Sequence, residues 1–287
     1  MGDRTAEIKN IIKDTKSLPT LPGIIVKLTS LAEDDKASVN EMAKLVSSDN
    51  ILSAKVLKLV NSPFYGFSGR VSTISNALIL LGVNVVRSLA LSSSIFEMME
   101  KNIIGLWEHS LGTAVASNII ARRLKLPECE EISTAALLHD IGKVMIKIKL
   151  ESDYDRLLGL IEEKDLSMSE AEKELLGIDH AEIGEWIART WYLPEKLIEP
   201  IACHHNVKKS AVHQVKTAVV HIADVLVKAS GFGHSGDDFV PLIQPEAWHR
   251  IGLNESVLGE IVEETEDKLV EAKNFSLEVQ SAGDKEA

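Results

Sequence analysis

The sequence has few cysteines and no long apolar run, and each shortage excludes a class of protein. Its two cysteines, Cys129 and Cys203, do not form a CxxC pair. A single disulfide between them is one alternative, but this spacing favours reduced thiols. No stretch approaches the roughly 18 apolar residues that a membrane-spanning helix needs, and the first residues lack the apolar core of a signal peptide. We therefore expect a cytoplasmic protein without membrane contact.

Positive charge and aromatic side chains are also scarce. Lys and Arg number 31 against 43 Asp and Glu, which gives a formal net charge of −12. An acidic surface repels phosphate backbones, so the composition disfavours broad nucleic-acid binding. Aromatic residues make up only 5% of the chain, while Leu, Ile, Val, Ala, Lys and Glu are abundant. That balance favours helices and predicts an all-α fold.

Apolar residues recur with helical spacing along most of the chain, with interruptions at proline and glycine. Residues 1–100 are predicted to form an N-terminal helical unit, with a capping box at Ser38 and Glu41 and two helices, 73–81 and 83–99, around Gly82. Residues 101–272 are predicted to form a second helical unit, followed by a flexible polar tail at 273–287. The helices expected in the second unit lie near 103–124, 129–148, 152–164, 168–177, 180–191, 194–204, 211–229 and 255–272, with a long loop and a short helix at 230–250.

Seven imidazole and carboxylate side chains of the second unit could form one site. They are His109, the adjacent pair His139 and Asp140, His180, the adjacent pair His204 and His205, and Asp224. Nitrogen and oxygen donors of this kind suit a hard or borderline divalent metal. If the fold brings these residues together, they form a mononuclear or dinuclear metal centre.

Each of these residues also has a purely structural interpretation. An isolated His-Asp pair is more often a buried histidine beside a surface carboxylate, and His109 could be a hydrogen-bonded core histidine. Asp224 lies in an otherwise apolar helix, where a buried carboxylate needs either a salt bridge or another cation. His221, three residues before Asp224, is a candidate for orienting a ligand.

The order H…HD…H…HH…D resembles that of the metal-dependent HD-domain phosphohydrolases, above all the dinuclear ones. The segment LPTLPGIIVKLTSLAED, and the longer one that runs from LVSSDN through NSPFYG to ALILLG, are similar to the HDOD family, the HD-related output domains of bacterial signalling. This resemblance spans about residues 17–230. It implies an all-α, two-lobed fold and a role downstream of regulatory inputs.

The sequence departs from the HD-GYP type of phosphohydrolase at two places. The loop after His205 reads NVKKSAVHQ and lacks the Gly-Tyr-Pro signature, which argues against hydrolysis of cyclic di-GMP. Gly105 stands four residues before His109, where trinuclear relatives carry a glutamate, so a third metal is not expected.

The resemblance also implies how two metal ions would share the ligands. His109, His139, Asp140 and Asp224 would hold one ion, and Asp140 would bridge to a second ion held by His180, His204 and His205. Fe or Mn is favoured, with Ni, Co and Zn as alternatives, because all donors are nitrogen or oxygen. A metal-bound water or hydroxide would be the nucleophile, and Lys143 would neutralise charge on a phosphoryl group.

Three functions are compatible with these residues. The first is a bacterial signal-transduction protein that contacts a regulatory protein partner, with a metal site that is structural, sensory or vestigial. The second is a metal-dependent phosphohydrolase that acts on a nucleotide or cyclic dinucleotide, with Asp140 and Lys143 as catalytic residues. The third is a di-iron oxygenase, since a similar ligand array serves an HD-related oxygenase. The sequence leaves the oligomeric state open.

Overall fold

The structure is a computed structural model that describes residues 2–13, 27, 31, 38–48, 50–61 and 70–283. Every regular element among these residues is helical, so the predicted all-α fold is confirmed. In chain order the α-helices are α1 (Gly2–Lys13), α2 (Val39–Ser47), α3 (Asn50–Val60), α4 (Ile74–Asn102), α5 (Leu106–Arg123), α6 (Cys129–Leu138), α7 (Ile141–Lys149), α8 (Glu151–Lys164), α9 (Met168–Leu176), α10 (His180–Thr190), α11 (Glu195–Cys203), α12 (Gln214–Ala229), α13 (Pro245–Ile251) and α14 (Glu255–Gly283). A short 3₁₀ helix, Val207–Lys209, precedes α12. None of the described helices combines the length and apolarity that crossing a bilayer requires.

Side-chain caps fix the start of several helices. The predicted capping box is present at α2, where Ser38 accepts a hydrogen bond from the backbone N–H of Glu41 and the Glu41 carboxylate accepts one from the backbone N–H of Ser38. Asp179 and Glu182 form the same arrangement at the start of α10. Each cap satisfies N–H groups that have no partner within the helix, and it contributes about 1 kcal/mol.

α4 contains the interruption that the sequence predicted at Gly82. This residue has φ 80° and ψ 163°, so the helical conformation is broken between Ile74 and Asn102. Glycine adopts a positive φ without the steric cost that a Cβ would impose. The two predicted helices around Gly82 are therefore confirmed, and the second ends at Asn102 rather than near 99.

One predicted helix is wrong, and the error lies at the His139-Asp140 pair. The sequence predicted one helix over 129–148, whereas α6 ends at Leu138 and α7 begins at Ile141. Asp140 has φ −96° and ψ 11°, away from the α-helical values. Side chains of adjacent residues on a continuous helix diverge by about 100°. The break allows His139 and Asp140 to face the same centre.

The last helix is longer than predicted. α14 continues to Gly283, whereas the sequence predicted an end at 272 and a flexible tail after it. No glycine or proline occurs between 272 and 283, so the polar composition of this stretch is compatible with a helix. Residues 284–287, and residues 62–69 with most of the NSPFYG motif, lie outside the described part of the chain.

α5 is the central helix of the second predicted unit. Its residues from Leu106 to Ala121 are buried apart from Glu108, and α6, α12 and α14 pack around it. α4 packs against α6 and α7, and α1 packs against α7 and α10. Buried apolar side chains from Ile8 to Ile261 form one cluster. The two predicted units therefore share a core, and their division at residue 100 stays a prediction.

The first turns of α7 and α10 approach each other at Gly142. A Cβ built on Gly142 would lie 2.0 Å from the carbonyl oxygen of His180, a distance that no real contact allows. Glycine is therefore required here by the close approach of two backbones. α10 begins at His180 and α7 directly follows Asp140, so this approach also sets the distance between these two site residues.

Replacing Gly142 by alanine should lower the stability of the protein by about 1–3 kcal/mol, because the added methyl group forces α7 and α10 apart. Gly159 is a matched control, since it lies in α8 and a Cβ there meets nothing within 4 Å. Gly159→Ala should raise stability by about 0.5–1 kcal/mol. Thermal unfolding of both variants measures the difference, and an unchanged melting temperature for Gly142→Ala would contradict the packing described here.

Candidate metal centre

The seven predicted site residues come from five separate parts of the second unit, and the fold brings all of them together. His109 lies in the middle of α5, His139 and Asp140 lie at the break between α6 and α7, and His180 is the first residue of α10. His204 and His205 follow α11, and Asp224 lies in α12. Six of the seven side chains are buried with at most 1% of their surface exposed, and His205 is partly buried.

The donor atoms of these residues form two groups. Within each group, one ligand atom per residue lies within 4.8 Å of all the others. The first group consists of His109, His139 and Asp224, and the second consists of Asp140, His180, His204 and His205. The resemblance implied the same two sets, except that it placed Asp140 in both of them.

Hydrogen bonds fix the orientation of three of the imidazole rings. Nδ1 of His139 lies 2.6 Å from the carbonyl oxygen of Ala136, and Nδ1 of His204 lies 2.8 Å from that of Ile201. Nδ1 of His180 lies 2.6 Å from a carboxylate oxygen of Glu172. Carbonyl and carboxylate oxygens only accept, so each Nδ1 carries a hydrogen. In the neutral ring, Nε2 is then a lone-pair donor that faces the centre.

Five buried atoms of the cluster lack a hydrogen-bond partner among the described residues. They are Nε2 of His109, His139 and His204, and Oδ1 of Asp140 and Asp224. An unsatisfied buried polar atom costs about 1–3 kcal/mol, so several of them at one point indicate a missing ligand. The carboxylate oxygens, and each Nε2 once its ring is neutral with hydrogen on Nδ1, are electron-pair donors, and the chemistry of the set therefore fits a metal cation.

The distances between neighbouring donor atoms also fit ions bound between them. Nε2 of His109 lies 3.0 Å from Oδ1 of Asp224, and Nε2 of His180 lies 3.1 Å from Oδ1 of Asp140. Nε2 of His205 lies 2.8 Å from Nε2 of His180. Two ligands at right angles on one ion, each about 2.1 Å from it, are about 3 Å apart. The ring nitrogens of His180 and His205 need a proton or a cation between them at this distance.

Asp140 lies between the two groups, and each of its oxygens faces a different one. Oδ1 is 3.1 Å from Nε2 of His180 and 3.8 Å from Nε2 of His204. Oδ2 is 3.3 Å from Nε2 of His139 and 3.7 Å from Nε2 of His109. One carboxylate oxygen per group is the arrangement that a bridging ligand requires.

The buried charges of the site are unbalanced. Among described side chains with at most 1% exposure, the carboxylates are Asp140, Glu172, Asp224 and Asp237, and the ammonium is that of Lys143. Burial by itself raises the pKa of Asp140, but the positive charges of His139 and Lys143 hold this pKa well below its usual value. A buried carboxylate needs a compensating cation. The excess of negative charge favours binding of further positive charge.

A proton is the simplest cation that the metal-free site takes up. Burial lowers the pKa of His139, but the negative charges of Asp140 and Asp224 outweigh it and raise this pKa to about 9. Burial, and then the positive charges of His139 and His180, lower the pKa of His204 to about 3. At neutral pH the ring of His139 is therefore positively charged in the metal-free centre, whereas the ring of His204 is neutral.

Lys143 is positioned differently from the expectation that it would hold a phosphate. Its side chain is 1% exposed, and Nζ donates to Oδ2 of Asp140 at 2.7 Å and to the carbonyl oxygen of Ser235 at 2.8 Å. Burial lowers the pKa of Lys143, but the charge of Asp140 outweighs it and the pKa is raised. The ammonium group thus stays charged and fixes Asp140 against the 231–240 segment.

The 231–240 segment covers one side of the centre and borders a cavity of about 220 Å³ next to His109. The backbone N–H of His234 donates to the carbonyl oxygen of Gly105, 3.0 Å away. A Cβ on Gly233 would lie 2.3 Å from the backbone nitrogen of His109, so this segment lies directly on the first turn of α5. Of the seven residues of the centre, His109 lines this cavity.

Three residues around the ligands orient the His204-His205 pair and His180: they are His221, Gln244 and Glu172. His221 was proposed from the sequence as an orienting residue. Its Nδ1 donates to the carbonyl oxygen of His204 at 2.8 Å, and its Nε2 accepts from the backbone N–H of Gln244 at 3.0 Å. The side chain of Gln244 also donates to the carbonyl oxygen of His205. Sequence reasoning missed Gln244 and Glu172, and the one available signal was that Glu172 lies one helical turn from both Met168 and Leu176 on α9.

Fold and site together define an all-α protein with a buried His/Asp cluster whose donor atoms suit a metal ion. Residues 18–207 match the HDOD domain, about two thirds of the chain, and the protein belongs to the HDOD family. A curated but uncharacterised protein of Treponema pallidum (strain Nichols) is 25% identical over 193 residues, which cover 66% of this chain and 38% of that protein. The match thus spans well under half of the relative's length.

Solved structures share the fold. An HDOD domain protein of unknown function from Geobacter sulfurreducens has 24% identity and a TM-score of 0.71, with 94% of this chain and 98% of the other covered. A protein provisionally described as a signal transduction protein, from Marinobacter aquaeolei VT8, has 20% identity and a TM-score of 0.71, with 93% and 61% covered. One provisionally described as a phosphohydrolase, from Shewanella amazonensis SB2B, has 22% identity and a TM-score of 0.66, with 92% and 97% covered.

Binding of a divalent metal should release about one proton at pH 7.5, because His139 is protonated in the metal-free protein and must lose this proton to act as a ligand. Calorimetry of Mn²⁺ binding in buffers of different ionisation enthalpy measures the number released. Since the pKa of His139 is about 9, the release should fall as the pH rises through that value. A binding enthalpy that is the same in all buffers at pH 7.5 would contradict the protonation state described here.

Proposed function

We propose that this HDOD protein is a metal-binding component of bacterial signal transduction, with two divalent transition-metal ions in the seven-residue centre. The observation that carries the proposal is that five buried atoms of these residues, three ring nitrogens and two carboxylate oxygens, have no hydrogen-bond partner among the described residues. Burying polar atoms without hydrogen-bond partners is costly. In the remnant of a lost metal site we would therefore expect these atoms to have gained hydrogen bonds or to have been replaced by apolar packing.

One ion would be held by His109, His139, Asp140 and Asp224, and the other by Asp140, His180, His204 and His205. The two oxygens of Asp140 face different groups of donors, which supports its role as the bridge. Nitrogen and oxygen ligands without thiolate favour Fe or Mn, with Ni, Co and Zn as alternatives. Bound ions would offset the excess of buried carboxylate charge and connect five parts of the chain.

The closed surroundings of the centre favour a signalling role over turnover of a large substrate. Six of the seven ligands are buried, and the cavity beside His109 measures about 220 Å³. Pockets for drug-sized ligands measure about 300–1,000 Å³. A regulatory protein partner would then respond to the occupancy of the centre, and the ions would act by stabilising one arrangement of the helices that supply the ligands.

Metal content of protein purified without added metal or chelator tests this proposal. We expect about two equivalents of Fe or Mn in the wild type. Asp140→Asn should lose both ions, because the bridge and its charge serve both groups. His249→Ala is the matched control, since His249 is an exposed histidine outside the centre, and it should keep both ions. A wild type without bound metal, or an Asp140→Asn variant with full metal content, contradicts the proposal.

Phosphohydrolysis is a second candidate function, and the cavity next to His109 is the observation that favours it. Metal ions in such a centre polarise a phosphoryl oxygen and lower the pKa of a bound water. Lys143 would keep Asp140 in place through its hydrogen bond, and the 231–240 segment would limit the size of the substrate. This geometry favours a small phosphate ester over a cyclic dinucleotide.

Hydrolysis of p-nitrophenyl phosphate, followed by release of p-nitrophenol, and opening of a cyclic dinucleotide to its linear form, followed by chromatography, distinguish the two candidates. A hydrolase of this geometry should hydrolyse the small ester only, with activity lost in Asp140→Asn. Asp155→Asn, which changes an exposed carboxylate on α8, should keep the wild-type rate. No hydrolysis of either substrate by the metal-loaded wild type contradicts phosphohydrolysis and leaves the signalling function.

A further inference from the structure

We propose that Glu172 is a positioning residue of the metal centre: its buried carboxylate fixes His180 as a charge-assisted ligand of one of the two ions. This inference rests on the proposed metal-binding function. Glu172 lies in α9, outside the seven-residue set, and none of its surface is exposed. Its carboxylate accepts two hydrogen bonds, both from His180.

One oxygen of Glu172 binds both the side chain and the backbone of His180. Oε2 accepts from Nδ1 of His180 at 2.6 Å and from the backbone N–H of His180 at 2.7 Å. Two contacts to one residue fix both the rotation of the ring and the position of the helix start. Nε2 is thereby directed to Oδ1 of Asp140, 3.1 Å away, and to Nε2 of His205, 2.8 Å away.

Capping of α10 does not account for this carboxylate. Asp179 already provides the side-chain cap, since its Oδ1 accepts from the backbone N–H of Glu182 at 2.9 Å, and Glu182 completes the capping box. A buried carboxylate that served only the helix start would duplicate a cap at the cost of its own desolvation. The contact with the imidazole ring is what Asp179 does not supply.

Glu172 also balances the charge between the two groups of ligands. Counting the shared Asp140, the group of His109 and His139 has two carboxylates, Asp140 and Asp224, whereas the group of His180, His204 and His205 has Asp140 alone. His139 and His204 donate to neutral carbonyl oxygens, but His180 donates to a carboxylate. When Nδ1 of a histidine donates its hydrogen bond to a carboxylate, Nε2 of the same ring becomes a stronger electron-pair donor to a metal. Glu172 thus gives the second group, through His180, the negative charge that Asp224 gives the first group directly.

The test compares Co²⁺ binding by metal-free wild type, Glu172→Gln and Glu174→Gln, followed by calorimetry and by the visible absorption of Co²⁺. Glu172→Gln keeps the shape and a hydrogen-bond acceptor but removes the charge. Glu174 is an exposed carboxylate on the same helix and serves as the control. We expect two binding steps in the wild type and in Glu174→Gln. In Glu172→Gln, one step should weaken about 10–100-fold while the other keeps its affinity.

The outcomes separate this inference from the proposed function. A wild type that binds no Co²⁺ contradicts the metal centre itself, whereas two unchanged steps in Glu172→Gln contradict only the role of Glu172. Equal weakening of both steps also overturns the inference, because a general structural role would act on both ions. If the Glu172→Gln variant fails to fold, ¹⁵N NMR of His180 in the wild type tests the inference instead. The inference requires a hydrogen on Nδ1 of His180, and an Nδ1 without hydrogen overturns it.

Discussion

The structure depends on burying several electron-pair donors at one point inside a helical core. Such atoms lose their hydrogen bonds to water, and among the described residues they find no donor that replaces them. The free energy of that loss must be offset either by the packing of the surrounding helices or by a bound cation. Much of the local architecture follows from this constraint, since the segments that supply ligands are held by backbone contacts rather than by apolar packing alone.

Hydrogen bonds around the ligands convert a group of buried polar residues into an ordered site. Carbonyl oxygens orient His139 and His204, a carboxylate orients His180, and the ammonium group of Lys143 holds Asp140. Close backbone approaches at Gly142 and Gly233 set the distances between the segments. The result is a centre that is assembled before any ligand binds, which lowers the ordering entropy that binding would otherwise cost.

The all-α fold, most helix positions and the convergence of the seven residues were accessible from the sequence. Helical periodicity and proline positions are local signals, and charged or polar residues such as Asp224 in apolar helices are unusual enough to indicate a shared site. The break at His139 and Asp140 was not accessible, because no glycine or proline marks it and tertiary packing decides it. Glu172 was missed for a similar reason, since a glutamate on a helix is normally solvated and only the packing of α9 buries it.

The central claim is that the inward-facing Nε2 and carboxylate oxygen atoms converge on metal ions. Anomalous diffraction from crystals of the protein, purified without added metal or chelator and measured on both sides of the Fe and Mn absorption edges, tests it most directly. The account predicts two anomalous peaks, one on each side of Asp140, with His139, His180 and His204 coordinating through Nε2. An absence of anomalous peaks at this position, or coordination through Nδ1, would contradict it.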